Sequence, residues 1–149
     1  MQATVSTANS NVTLPPLAPG LNIRVVVVDS GHRDAPTCAS AKVINLDDPK
    51  RATYAALSYT WGRSPKSQHI LINGEKVHVT PNLFNALQYL RSADFPLTIW
   101  IDALCIDQDN HAERAPQVSI MDIIYKNCEV VHIWLGCCER PIRTRATFP

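Results

Sequence analysis

The run from Ile99 to Gly136 constrains this chain most, because its apolar pattern changes period twice. Leu97, Ile99 and Ile101 alternate with Thr98, Trp100 and Asp102, the period-two pattern of a strand with both faces largely buried. Past a polar stretch, Val118, Met121, Tyr125 and Cys128, flanked by Ile124, fall on one side of a helix. Val130 to Leu135 is again strand-like and closes at Gly136. A strand, a helix and a strand joined this tightly imply a right-handed crossover in a mostly parallel sheet flanked by helices, an α/β fold.

The preceding chain supplies more strands. Ile23 to Val28 is a β-branched run closed by Asp29, Ser30 and Gly31, and a weaker strand runs from Ala41 to Leu46 before Asp47-Asp48-Pro49. Tyr54 to Tyr59 is apolar and ends at Thr60-Trp61-Gly62, where glycine permits a sharp change of direction. Ile70 to Val79 holds Asn73-Gly74 between β-rich arms, the pair that supplies both positive φ angles of a type I′ turn, and so predicts an inserted β-hairpin. Thr80 and Pro81 combine a hydroxyl cap with a proline at the first helical position. With Leu83, Ala86, Leu87 and Leu90 on one face, they predict a helix from Pro81 to about Ser92, ended by Asp94-Phe95-Pro96.

A length of 149 residues suits one core. Residues 1–20 are rich in Ser, Thr, Asn and Pro, precede the first charge at Arg24, and read as a disordered tail. The domain is expected over 21–136, and 137–149, with Arg140, Arg143 and Arg145, reads as an irregular basic tail. A net charge of +1 gives no basic footprint for nucleic acid. The N-terminus has no basic leader, and the purest apolar run, Val25 to Val28, is far below the roughly 20 residues that cross a bilayer. A soluble cytoplasmic protein is the expectation. Cys38, Cys105, Cys128, Cys137 and Cys138 are odd in number and lack CxxC spacing, which points to reduced thiols and away from disulfides or a metal site. In a cytoplasmic chain the Asn11-Val12-Thr13 sequon is a chance match.

Two blocks stand out: Tyr54-Ala-Ala-Leu-Ser-Tyr-Thr-Trp-Gly62 and Ile99-Trp-Ile-Asp-Ala-Leu-Cys-Ile-Asp-Gln108. The second continues through Glu113-Arg114, Gln117-Val118, Met121, Ile124-Tyr125 and Trp134-Leu135-Gly136. Together, over roughly Arg24 to Gly136, they resemble the heterokaryon-incompatibility (HET) domain of filamentous fungi. Asp107 departs from that family's usual asparagine, replacing a group that donates and accepts with a charged acceptor. Cys128 replaces a small residue, commonly alanine. A third block, an R-x-W-T-x-Q-E series further downstream, is missing, so a C-terminally truncated fold is the expectation. The resemblance implies a role in vegetative incompatibility and programmed cell death, exercised through protein partners or self-association. HET domains have also been compared with TIR domains, which implies a TIR/flavodoxin-like sheet. Some TIR domains cleave NAD using a glutamate, so NAD is the ligand that the resemblance brings forward.

In open α/β sheets the ligand crevice lies beyond the carboxyl ends of the strands. Those ends supply Tyr59, Trp61 and Gly62 from one strand and Asp102, Cys105, Asp107 and Gln108 from another, an aromatic wall with several polar groups. Trp61 and Trp100 have a competing reading as packing residues. Glu113 is the catalytic candidate, because a carboxylate near a ribosyl carbon can stabilise the charge that develops as a glycosidic bond breaks. Its structural alternative is a capping-box variant with Asn110. Pro116 disfavours that start by clashing with the Ala112 carbonyl, and a helix beginning at Pro116 would leave Glu113 and Arg114 in a loop. Arg114 offers a fork for phosphate or carboxylate, with a surface or Asp102-paired arginine as the competing reading. Asp102, Asp107 and Asp109 are too commonplace a set to imply magnesium, Cys105 reads as an inert buried thiol, and the five histidines are scattered, His132 among them as a strand residue. Three functions compete: a non-enzymatic death-signalling module, an NAD glycohydrolase using Glu113, and an inactive shortened remnant.

Overall fold

A computed structural model describes residues 13–136 and the backbone of 142–144. Eight strands and four helices follow one another as β1 (Asn22–Val28), β2 (Cys38–Asn45), β3 (Ala55–Tyr59), β4 (Gln68–Ile72), β5 (Glu75–Val79), α1 (Pro81–Leu90), β6 (Leu97–Trp100), α2 (Asp102–Cys105), α3 (His111–Ser119), α4 (Met121–Asn127), β7 (Val130–Trp134) and β8 (Ile142–Thr144). All eight strands join one sheet in the order β5-β4-β2-β1-β6-β3-β7-β8.

The fold is α/β, but the sheet is mixed, which corrects the expectation of a mostly parallel one. Four of the seven pairings, β1 with β2, β1 with β6, β4 with β5 and β7 with β8, are antiparallel. The parallel pairings are β3 with β6, β3 with β7 and a two-residue contact between β2 and β4. β6 and β7 do run parallel, as the strand-helix-strand pattern requires, but β3 lies between them. The physical reason is β1. It reaches the sheet centre and pairs antiparallel on both sides, which no local pattern in the sequence specifies. β2 is also longer than expected, because its register with β1 holds along all seven residues from Asn22↔Asn45 to Val28↔Ala39.

Central position explains why β1 is apolar on both faces. Ile23, Val25, Val26 and Val28 are all buried, as are Ile99, Trp100 and Ile101 on the adjoining segment. Trp100 pairs in register with Ala56, and Ala56 with Val131, whereas Trp134 pairs with Tyr59, so the alternation of strand side chains sends Trp100 and Trp134 to opposite faces. Trp100 meets Tyr125 of α4 edge-on at 5.5 Å, while Trp134 reaches α1, stacking near Tyr89 and donating from Nε1 to Asn82 Oδ1 at 2.8 Å. Helices therefore cover both faces.

The helix ends follow the sequence. The Thr80 hydroxyl accepts from the Leu83 amide at 3.3 Å, Pro81 opens α1, and Leu83, Ala86 and Leu87 are buried. Asn73 (φ 52) and Gly74 (φ 80) form the β4–β5 turn, and the Asn73 side chain accepts from the Ala41 amide, tying the turn to β2. The helical segment after the polar stretch divides at Ile120 into α3 and α4. Ile124 and Cys128 face the core, but Val118, expected on the same stripe, is 49% exposed because the break changes the helical phase. Residues 13–20, in the segment read as a tail, run against the domain: the carbonyl of Pro15 accepts from Arg24 Nε, and those of Ala18 and Pro19 accept from Asn22. Ile142–Thr144, in the stretch read as irregular, adds β8 beside β7. The other residues of the two expected tails, 1–12, 137–141 and 145–149, lie outside the described residues.

Candidate functional site

The parallel strands β3 and β6 end side by side, and the chain leaves each by a different device. After β3, Gly62 takes φ +66 and turns Trp61 across the sheet edge. After β6, Ile101 remains extended and α2 begins at once with Asp102 in its first turn. The segment read as a polar loop thus contains a helical turn, and its Leu104, Cys105 and Ile106 are buried.

Asp102 organises this corner. Its Oδ1 accepts from Trp61 Nε1 at 3.2 Å and from the Ala103 amide at 2.7 Å, while its carbonyl accepts from Gln108 Nε2 at 3.0 Å. Burial raises the Asp102 carboxyl above its ordinary range, and the bonds from Trp61 and Ala103 pull it partly back. The Tyr59 hydroxyl is likewise pushed upward, first by burial and then by the charge of Asp102. A cavity of about 300 Å³ opens here, lined by Tyr59, Trp61, Gly62 and Gln108 together with Ser64, Lys66, His78, Leu83 and Asp109. Asn82 braces its wall from the other side, donating from its amide to the Thr60 carbonyl at 3.0 Å while accepting from Trp134. Four of the expected site residues therefore meet at one cavity, and Asp102 holds two of them in place.

The others lie elsewhere. Asp107 accepts from the Asp109 amide at 3.2 Å in a local turn, and unlike Gln108 and Asp109 it does not line the cavity. Arg114 is exposed on α3 and forms no ion pair among the described residues. Cys105 is completely buried, and desolvation pushes its thiol up to about 12, so it is a packing thiol.

Glu113 borders a different cavity with Leu17, Pro19, Asn110 and Gln117, and its carboxylate is ion-paired with Arg24 of β1. Both side chains are at least nine-tenths buried. Arg24 is further fixed by its bonds to the carbonyls of Pro15 (2.7 Å) and Cys105 (3.2 Å). The helix begins at His111 and not at Pro116: Asn110 Oδ1 accepts from the Glu113 amide at 3.3 Å, and Pro116 sits inside α3. The capping box is only half formed, since the Asn110 amide bonds to the Asp107 carbonyl instead of the Glu113 side chain.

Arg24, Lys66 and His78 are among the residues of this architecture that were not singled out from sequence. Arg24 carried a readable signal, because a lone charge inside the run Ile23 to Val28 must find a partner when buried. Lys66 and His78 carried none, since only the folded hairpin brings them beside Trp61.

The segments forming this corner are also the segments shared with known proteins. Residues 54–145 match the sequence profile of the family described as heterokaryon incompatibility protein (HET). The chain belongs to the HET family. A curated relative, heterokaryon incompatibility protein 6, OR allele, from Neurospora crassa, is 35% identical over 97 residues, covering 56% of this chain and 14% of that protein. The HET chain described here therefore spans a small fraction of its relative's length. No solved structure matches it. The matched region of the HET domain begins at β3, so the central strand β1 and its partner β2 lie outside it. Among the described residues no helix is long and apolar enough to cross a membrane.

Proposed function

We propose that this HET domain is a signalling module of fungal non-self recognition, relaying an incompatibility signal toward programmed cell death through protein partners or self-association. Its input is a small ligand seated between Trp61 and Gln108. The observation that carries this reading is the division of the conspicuous residues between two places. The cavity at the strand ends holds an aromatic wall, an amide and a cationic rim from Lys66, the features of a binding pocket for a planar, polar molecule. Glu113 lies outside it, engaged by Arg24. A carboxylate held in a buried ion pair is poorly placed to approach a ribosyl carbon, which supports signalling over NAD hydrolysis. NAD, if it binds here, is a ligand presented to Trp61 and not a substrate of Glu113.

The family membership and the relative's printed name support the incompatibility role. Regulated expression in a filamentous fungus tests the rest, with viability and nicotinamide release measured together. Trp61→Ala should abolish killing, and Glu113→Gln, at matched levels of folded protein, should leave it. Nicotinamide release that depends on Glu113 and tracks with killing would overturn the proposal.

A further inference from the structure

The β4–β5 hairpin places His69 directly opposite His78, each equidistant from the Asn73-Gly74 turn. A two-residue turn closed by Ile72 and Glu75 makes every second facing pair a non-hydrogen-bonded one, and the histidines fall at such a position, where facing side chains approach most closely. Ile70, Ile72, Val77 and Val79 point into the core, so the histidines share the opposite face. His69 is exposed and His78 half-buried. Their rings lie 6.4 Å apart between centroids at 65°, and no ring nitrogen of either makes a hydrogen bond among the described residues.

We propose that His69 and His78 form a chelating site for a borderline divalent transition ion such as Cu²⁺, Ni²⁺ or Zn²⁺. Imidazole nitrogens suit these ions, and metal–nitrogen bonds of about 2 Å place the two ring centroids about 5 Å apart at a tetrahedral centre. The observed spacing exceeds that by little more than an ångström, which rotation of the exposed His69 ring closes. Two rings on one hairpin act as a chelate, because once one nitrogen binds, the second is already held at high effective concentration. No group of three or more His, Cys, Asp or Glu side chains is assembled for a metal among the described residues, so this is a two-ligand site whose remaining positions belong to water or to a donor from another molecule. His78 also borders the Trp61 cavity and His69 a second cavity beside Arg33, which puts the ion between two places where a donor can arrive.

Titration of the full chain with Zn²⁺ and Cu²⁺, followed by the histidine ring signals in NMR and by calorimetry, tests the site. The His69 and His78 signals should move together and saturate at one equivalent, with Cu²⁺ bound more tightly than Zn²⁺. His69→Gln and His78→Gln should each weaken binding on the order of 100-fold, while His32→Gln should not change it. Failure of the two signals to move in wild-type protein overturns the proposal, and so does affinity within twofold of wild type in either folded hairpin variant. The wild-type signals decide the matter even if a variant misfolds.

Discussion

The two halves of the sheet are built on different logic. On one side of the β1–β6 boundary, β6, β3 and β7 run parallel, and the carboxyl ends of β3 and β6 frame the Trp61 cavity. On the other, β1, β2, β4 and β5 are joined mainly as antiparallel pairs, β1 with β2 and β4 with β5, with a short parallel contact between them. The parallel half carries the family blocks and the aromatic corner. The antiparallel half supplies the central buried strand, the brace at Arg24 and the histidine hairpin. The proposed ligand cavity is thus lined mainly by the segments that follow β3 and β6, with His78 and Val79 of β5 completing it, while much of the sheet's centre comes from the other half, and the Arg24–Glu113 pair ties β1 to α3 across that division.

Cutting that tie should give the largest effect. Arg24→Ala leaves Glu113 buried without its partner and should cost about 3–5 kcal/mol in chemical denaturation. An Arg24→Met/Glu113→Leu double variant should recover most of that loss, and no recovery would mean that the carbonyl bonds of Arg24, not its charge, hold the halves together. Trp100→Ala empties a fully buried site facing Tyr125 and should cost a similar or slightly smaller amount, about 3–4 kcal/mol. Gly74→Ala acts only on the hairpin. It forces a side chain into positive φ and should cost about 1 kcal/mol, with faster amide exchange in β4 and β5 than in β3 and β7. Uniform loss of protection would show that the two halves unfold as one.

A finer comparison uses pH. Burial raises the folded-state pKa of Asp102 above the ordinary 3.8, so the folded protein binds more protons than the unfolded chain between those two values. This group's contribution to stability is therefore greatest at low pH and declines as pH rises from about 3.8 through the folded value. Asp102→Asn should remove that component of the pH slope while keeping an acceptor for Trp61 Nε1. Melting curves from pH 4 to 7 check this, and an unchanged slope would show that another carboxyl is responsible. The smallest stability effect belongs to Trp61→Ala, within about 0.5 kcal/mol, because the ring is 43% exposed; loss of ligand binding should far exceed it.

What the sequence disclosed follows the same division. Thr80-Pro81 and Asn73-Gly74 encode local geometry and produced the elements they specify, whereas the Ile99-to-Gly136 pattern gave its two strands but its one expected helix is divided at Ile120 and its polar stretch holds a further helical turn. The strand order was not readable, because pairing β1 with β6 depends on contacts between Val26–Val28 and Leu97–Ile99 that leave no periodic trace. At the site, Tyr59, Trp61, Gly62 and Gln108 were readable as residues at strand ends, whereas the position of Glu113 depended on a partner in a distant strand. The histidines that appear scattered along the chain face each other once the hairpin register is applied.

The central place of β1 also bears on how the chain is made. β2 can pair with β1 soon after both leave the ribosome, but the opposite edge of β1 waits for β6, about seventy residues later, counted from Val26 to Ile99. At about 5–20 residues per second, that is roughly 4–15 s with Val25, Val26 and Val28 exposed beside an unfilled strand edge. Folding yield in the cell should therefore respond to chaperone supply and to codon speed between residues 46 and 96, a stretch that adds nothing to that edge.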